Sequence, residues 1–219
     1  MSLILYGAIL SPFVRKIRIQ LAEQQIAHEL VTQPPFNQPD WYYEISPLGR
    51  IPALRDGDLG LADSSVIGQY LQDTRGGAAL YGETPQQAAR VRWLEKYADY
   101  ELGALATLVV FRNRIVRPVM GESCDEAAIQ QALEVGLPPL FDYLETQLGD
   151  QRYFLGEHFS MADIAVCCQL INLAHAGELI DEMTWPGLSS LLSRVTARSS
   201  VSSLLPAEHQ LVAKMTGRV

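Results

Sequence analysis

A chain of 219 residues, 48% hydrophobic and 19% charged, holds enough apolar material for a substantial core. Its formal net charge of −8 repels, on average, the nucleic-acid backbone and the anionic membrane surface. Cys124, Cys167 and Cys168 match neither a disulfide framework nor zinc-ligand spacing, and none of His28, His158, His175 and His209 forms a metal-ligand pair at helical spacing.

The start of the chain lacks a basic segment and reaches Pro12 too early for a signal peptide. No apolar run approaches the ~18 residues of a membrane span. The expectation is a reduced, cytoplasmic protein with no membrane, nucleic-acid or metal partner. Cys167 and Cys168, about 100° apart on a helix, read as packing residues on different faces.

Leu3 to Tyr6 is a short apolar run ending at Gly7, read as a buried strand. Ser11 followed by Pro12 marks a helix start, a capping hydroxyl and a pre-set first turn. Val14, Ile17 and Leu21 give that helix one apolar face, to about Glu23. Ala27 to Val31 reads as a second strand, parallel to the first if the helix is a crossover. Thr32 to Asp40 is a polar, Pro-rich loop, and Trp41 to Ile45 an irregular or short helical piece. Ile51 to Leu54 and Leu59 to Leu61 read as strands joined by the turn Asp56-Gly57-Asp58. Asp63 and the serines behind it open a helix carrying Val66, Ile67, Tyr70 and Leu71. The order β-α-β, β-β-α makes one α/β sheet unit.

Beyond Gln86 the pattern is helical throughout. Val91, Leu94, Ala98, Leu102, Leu105 and Leu108 trace one face of a long helix. Ile129, Leu133, Leu137, Leu140, Leu144 and Leu148 trace another, with Gly149 as its stop. Before a further helix, Ser160 reads as a cap with Asp163 at the third helical position, and Phe159 as a staple to Ile164. Leu188, Leu191, Leu192 and Val195 mark another helix after Trp185-Pro186. An α/β unit followed by an all-helical one predicts two domains, 1–78 and 86–219.

Three places can carry chemistry. At Ser11, a helix N-terminus offers unpaired N–H groups and the positive end of the macrodipole, which favour an anion such as a thiolate. Arg15, Lys16 and Arg18 either add positive potential there or form a solvated face. Lowering a thiol pKa by ~2 units takes about 2.7 kcal/mol. The dipole offers about 0.3–1 kcal/mol and a charge-assisted hydroxyl hydrogen bond about 1.5–3 kcal/mol, so no general base is required. At Ile51-Pro52, proline interrupts a strand, and a cis bond there would turn the Ile51 backbone outward to pair with an extended peptide. Asp63 and Ser64 offer a carboxylate for an ammonium group and a hydroxyl with helix-start N–H groups for a carboxylate. Each has a plain alternative: a simple cap, a trans proline, an ordinary N-cap pair. Together they describe a groove for a short peptide bearing a thiolate.

SPFVRKIR, SPLGRIPAL, LADSSVIGQYL and FSMADI, in this order and spacing, resemble the cytosolic glutathione transferase family over nearly the whole chain. The resemblance implies a thioredoxin-like N-terminal domain followed by an all-helical C-terminal domain. It implies glutathione as substrate, no metal, and a homodimer. It implies Ser11 as the catalytic residue of a serine-type, theta-like or bacterial member, and glutathione binding by Phe13, Arg50, Ile51, cis-Pro52, Asp63 and Ser64. Asp63 is often Glu in relatives, one methylene longer. Ser11 in place of Cys argues against thiol-exchange members. Tyr6 resembles the catalytic tyrosine of other classes by rough position only, its alternative being a core aromatic.

The second substrate, a hydrophobic electrophile that the thiolate attacks or a hydroperoxide that it reduces, is expected between the domains. Ile9, Leu10, Leu108, Phe111 and Arg112 are candidate wall residues. Arg112, Arg114 and Arg117 either attract an acidic co-substrate or face water. Two further readings are a non-catalytic binding or regulatory protein on the same fold and a glutathione-dependent isomerase or dehalogenase.

Overall fold

The computed structural model describes residues 3–217. Strand β1 (Leu3–Gly7) lies inside a four-stranded sheet of order β2-β1-β3-β4. β2 (His28–Thr32) runs parallel to it, and β3 (Ala53–Asp56) and β4 (Leu59–Ala62) continue the other side as an antiparallel hairpin. Side chains alternate across β1. Leu3 and Leu5 pack with Val14, Ile17 and Leu21 of α1 (Pro12–Glu23) and with Ile67 and Leu71 of α3 (Ser64–Arg75). Ile4 and Tyr6 face the other way, toward Tyr42 of the short α2 (Asp40–Tyr43) and Ile45. The ladder of β3 begins at Ala53, two residues later than the apolar run suggests, because Pro52 has no N–H to contribute.

Gly7 allows β1 to run into α1 at close quarters. A Cβ there would lie 2.3 Å from a methyl group of Val14. The strand end is thereby pressed against the helix start.

The remainder is helical. α4 (Pro85–Tyr97), entered through Thr84 and Gln87 in a reciprocal cap, continues into a π-helical stretch (Ala98–Leu102) and a turn of α-helix, α5 (Gly103–Leu105). A second π-helical stretch (Ala106–Val116) and α6 (Arg117–Val119) complete the rod. The long helix read from the sequence is present without a break, but its buried face past Leu102 is not the one expected. Hydrogen bonds closing over five residues widen the turn, so burial recurs at four- and five-residue intervals. Ala106, Val110, Phe111 and Ile115 are buried, whereas Leu108 is exposed and Leu105 only half-buried.

The next expected helix runs without a break through α7 (Glu126–Gln131), a π-helical turn (Ala132–Gly136) and α8 (Leu137–Leu148), and Gly149 ends it as expected. Phe141 is buried where the regular pattern favours Leu140. α9 (Met161–His175) is buried on nearly every face and is followed by α10 (Pro186–Thr196), α11 (Ser199–Ser202) and α12 (Leu205–Thr216). Cys167 and Cys168 point from different faces of α9 into a core that surrounds it, and burial raises both thiols, Cys168 to about 12.

Asp163 anchors the start of α9. Its Oδ2 accepts the Ser160 N–H and Oγ–H at 2.8 and 2.7 Å, and its Oδ1 accepts the Phe154 N–H at 2.9 Å. Phe159 packs edge-on against Tyr153 under the Arg198 guanidinium.

Helix α1 joins the two halves. Val14, Ile17 and Leu21 belong to the core of the sheet, while Ile19 and the preceding Leu10 belong to the core of the helical half.

Candidate functional site

The sheet register brings the three candidate places together. Tyr6 pairs with Ala53, and Ala53 with Ala62, so the end of β1, the start of β3 and the end of β4 share one row. Ser11, Ile51-Pro52 and Asp63-Ser64 lead out of or into that row. They are at one end of the sheet.

Ser11, half-buried, is the N-cap of α1. Its Oγ accepts the Val14 N–H at 3.4 Å, a long contact, and its carbonyl accepts the Arg15 N–H at 2.9 Å. A hydroxyl has one donor and two acceptor sites. Among the described residues, the Ser11 hydroxyl gives its proton to no protein acceptor. Pro12 lacks an N–H, so Phe13 supplies the next free amide of the first turn. An anion placed there meets one O–H, one N–H and the positive helix end.

The three basic residues behind Ser11 do not form a solvated positive face. Arg15 and Lys16 are both 0% exposed. The Arg15 Nε donates to both oxygens of Glu208 at 3.0 and 2.9 Å, and NH2 donates to Oε2 at 2.6 Å. NH1 donates to the Cys168 carbonyl and to Asn172 Oδ1. Lys16 Nζ lies 2.6 Å from Asp99 Oδ2, 2.8 Å from Glu95 Oε1 and 3.3 Å from Ser65 Oγ. Burial opposes the Lys16 ammonium, yet Asp99 and Glu95 outweigh it and hold the pKa above the usual lysine value. Burial raises Asp99, and the nearby Glu95 charge adds to the rise against the pull of Lys16. Arg18 is half-buried, and burial lowers its pKa. The first two cations are neutralised where they stand. What remains to hold an anion at Ser11 is the helix end and the hydroxyl.

The Ile51-Pro52 bond is cis. The carbonyl before it, that of the exposed Arg50, accepts hydrogen bonds from Tyr42 Oη at 3.0 Å and Ser46 Oγ at 2.9 Å. Burial raises the Tyr42 phenol to about 12, so it remains a donor at neutral pH. Ile51 is half-buried and lies outside the ladder.

Asp63 caps α3, accepting the Ser65 and Val66 N–H groups on Oδ1 at 2.9 and 3.3 Å. Its backbone sits at φ 73°, ψ 123°, where a side chain costs about 1–3 kcal/mol. The carboxylate is half exposed, with Lys96 Nζ 3.9 Å away. Ser64 is buried at the first helical position.

The expected walls of a second site fare unevenly. Ile9 is half-buried, and Leu10 and Phe111 are buried in the helical core. Leu108 and Arg112 are exposed. Arg114 pairs with Glu126 and Glu178, and Arg117 with Glu122, so the basic cluster is largely neutralised. Tyr6 is buried in an aromatic cluster with Trp41 and Tyr42, its ring centroid 5.5 and 6.2 Å from theirs. Among the described residues no group of three or more His, Cys, Asp or Glu is placed to hold a metal ion. No described helix is long and apolar enough to cross a membrane.

Sequence reasoning missed the Tyr42 and Ser46 clamp on the Arg50 carbonyl, and the buried partners Glu95, Asp99 and Glu208. The first has no sequence signal, since it depends on α2 folding under the loop. The second had one: Ile19 points away from Val14, Ile17 and Leu21, which makes α1 two-sided and buries the positions beside it.

The glutathione S-transferase N-terminal domain model matches residues 5–79, and the C-terminal domain model of the same family matches residues 126–195. Glutathione S-transferase F13 of Arabidopsis thaliana is 30% identical over 191 residues, covering 83% of this chain and 86% of that protein. The uncharacterized GST-like protein YibF of Escherichia coli is 28% identical over 208 residues, 92% of this chain and 98% of that protein. The crystal structure of a glutathione S-transferase from Rhodospirillum rubrum matches with a TM-score of 0.85 at 26% identity, covering 93% of this chain and 92% of that chain. With a four-stranded sheet unit followed by helices, and these matches across both halves, the chain belongs to the glutathione S-transferase family.

Proposed function

We propose that this protein is a serine-type glutathione transferase in which Ser11 steadies the glutathione thiolate. The observation that carries the reading is the row Tyr6, Ala53, Ala62, which sets an open helix N-terminus, a cis-proline edge and a strained carboxylate-bearing cap at one sheet end. These suit the three parts of a γ-glutamyl-cysteinyl peptide. The sulfur lies at Ser11 and the Phe13 N–H, the cysteinyl backbone pairs with Ile51 beside Pro52, and Asp63 and Ser64 take the γ-glutamyl ammonium and carboxylate. The Arg50 carbonyl, pinned by Tyr42 and Ser46, fixes the approach to Ile51.

Ionisation transfers the thiol proton to solvent. The thiolate then forms a bond to an electrophilic carbon while the leaving group departs with its electron pair. Stabilised charge on sulfur and approximation of the two reactants are the catalytic devices. The electrophile lies between a sheet unit of residues 1–78 and a helical unit of residues 86–219, against Ile9, Leu10, Phe111 and Arg112, with Leu108 at the rim. In solution the chain is a cytoplasmic homodimer, a reading supported by the family and by the exposed apolar residues Val66, Trp93 and Tyr100 on α3 and the long rod.

The test is titration of wild type and Ser11→Ala with glutathione, following the ultraviolet absorbance of the thiolate against pH. Tight binding with an unchanged thiol pKa in the variant removes Ser11 from the mechanism. No uptake at millimolar glutathione removes the proposal.

A further inference from the structure

Arg15 has a position no surface residue has. Its amide holds the Ser11 carbonyl at 2.9 Å, so its main chain is part of the first turn of α1. Its guanidinium, fully buried, fixes that turn to two other helices at once: to Glu208 of α12, and to the Cys168 carbonyl and Asn172 of α9. The chain of bonds continues. Asn172 Nδ2 donates to Thr107 Oγ1 at 3.1 Å, and Thr107 donates to Gln169 Oε1 at 2.6 Å. Thr107 stands at the head of the π-helical stretch that carries Phe111 and Arg112. At the other end, His175 Nε2 lies 2.9 Å from Glu208 Oε2. One buried network therefore runs from the turn bearing Ser11 to the rod bearing the expected co-substrate wall.

We propose that Arg15 is a positioning residue: its fork, seated on Glu208 and Asn172, sets the Ser11 hydroxyl at its working distance from the rod that lines the co-substrate side. The inference rests on the preceding reading of Ser11 and deepens it. Glu208 neutralises the guanidinium, so Arg15 acts through geometry and not as a charge aimed at sulfur. Lysine keeps the charge but is a point donor without the planar fork that grips Glu208 and Asn172 together. The γ-glutamyl end of the site, at Asp63 and Ser64, is built on α3 and does not depend on this network.

The experiment compares wild type, Arg15→Lys, and the double variant Arg15→Met with Glu208→Leu. The double variant leaves no buried charge unpaired and keeps the protein measurable if the lysine variant does not fold. Each is assayed for transfer to an aryl halide and for the pKa of bound glutathione, with near-ultraviolet circular dichroism reporting the fold. The expected result is a fall in kcat of about tenfold and a rise in bound-thiol pKa of about half a unit or more, with KM for glutathione within about twofold. Folded variants with wild-type kcat and thiol pKa would show a merely structural bolt and overturn the proposal. A rise in glutathione KM at constant kcat overturns it as well. A wild type that binds glutathione without ionising it overturns the Ser11 reading itself, and this proposal with it.

Discussion

Arg15 and Glu208, 193 positions apart in the chain, form an ion pair at 2.6 Å with both side chains at 0% exposure. Burial alone would raise the Glu208 carboxyl, but the hydrogen bond from His175 and the charge of Arg15 hold it below the usual range. Burial meanwhile lowers the His175 imidazole, whose Nε2 lies 2.9 Å from Glu208 Oε2. The pair closes α12 onto α1.

Removing one partner leaves an unpaired charge in the core. Glu208→Ala is expected to destabilise the protein by about 3–5 kcal/mol, measured by chemical denaturation. Replacing both partners with apolar residues is expected to cost far less. Equal losses for the single and double variants would contradict this account.

Ser11→Ala removes the hydroxyl but leaves the helix end. Loss of a hydrogen bond of about 1.5–3 kcal/mol is expected to raise the bound-thiol pKa by about 1–2 units. The rise in kcat/KM with pH moves to higher pH by the same amount, so the defect is largest at low pH and shrinks in alkaline buffer. A defect uniform across pH would point to a role other than thiol ionisation. The lost cap adds a stability cost of about 1 kcal/mol.

Asp63 has two separable duties. Asparagine keeps an acceptor for the Ser65 and Val66 N–H groups, so Asp63→Asn is expected to hold thermal stability within about 0.5 kcal/mol. It loses the charge, and KM for glutathione is expected to rise about tenfold with a smaller effect on kcat. Steady-state kinetics beside a melting curve decide it. A large drop in Tm with unchanged KM would make the residue a cap alone.

Glu23 supplies a pH dependence. Burial pushes its carboxyl up, but hydrogen bonds from Arg198 and Ser200, with the Arg198 charge, win and hold it below the ordinary glutamate value of 4.5. A folded pKa below the unfolded one gives stability that is present above pH 4.5 and lost as pH falls through the folded value. Glu23→Gln is expected to flatten part of the acid limb, by about 1 kcal/mol after allowing for partial exposure of Arg198. Denaturation midpoints of the two proteins between pH 3 and pH 7, converging at the acid end, are the check.

The local elements were legible because their causes are local. Ser11-Pro12 caps and starts α1, Asp63 caps α3, and Ser160 with Asp163 starts α9, each through bonds spanning three residues or fewer beyond the cap. The long rod was misread past Leu102. A regular α-helical count places Leu105 and Leu108 inward, and only packing against α9, where Gly103 stands close to Gln169, accompanies the wider turns that bury Ala106 and Val110 instead.

By itself the sequence determined which residues cap, turn and alternate: the strand-helix order, the glutathione-transferase motifs, and the identities of Ser11, Ile51-Pro52 and Asp63-Ser64. Tertiary structure alone decided the environment of the charges. Arg15 and Lys16 read as positive potential at the helix start or as a solvated face, and neither reading anticipates their burial against partners 193 and 79 to 83 positions away. The physical reason is that helix caps and strand pleats depend on neighbours along the chain, whereas the energy of a charge depends on burial and on carboxylates that sequence distance does not reveal.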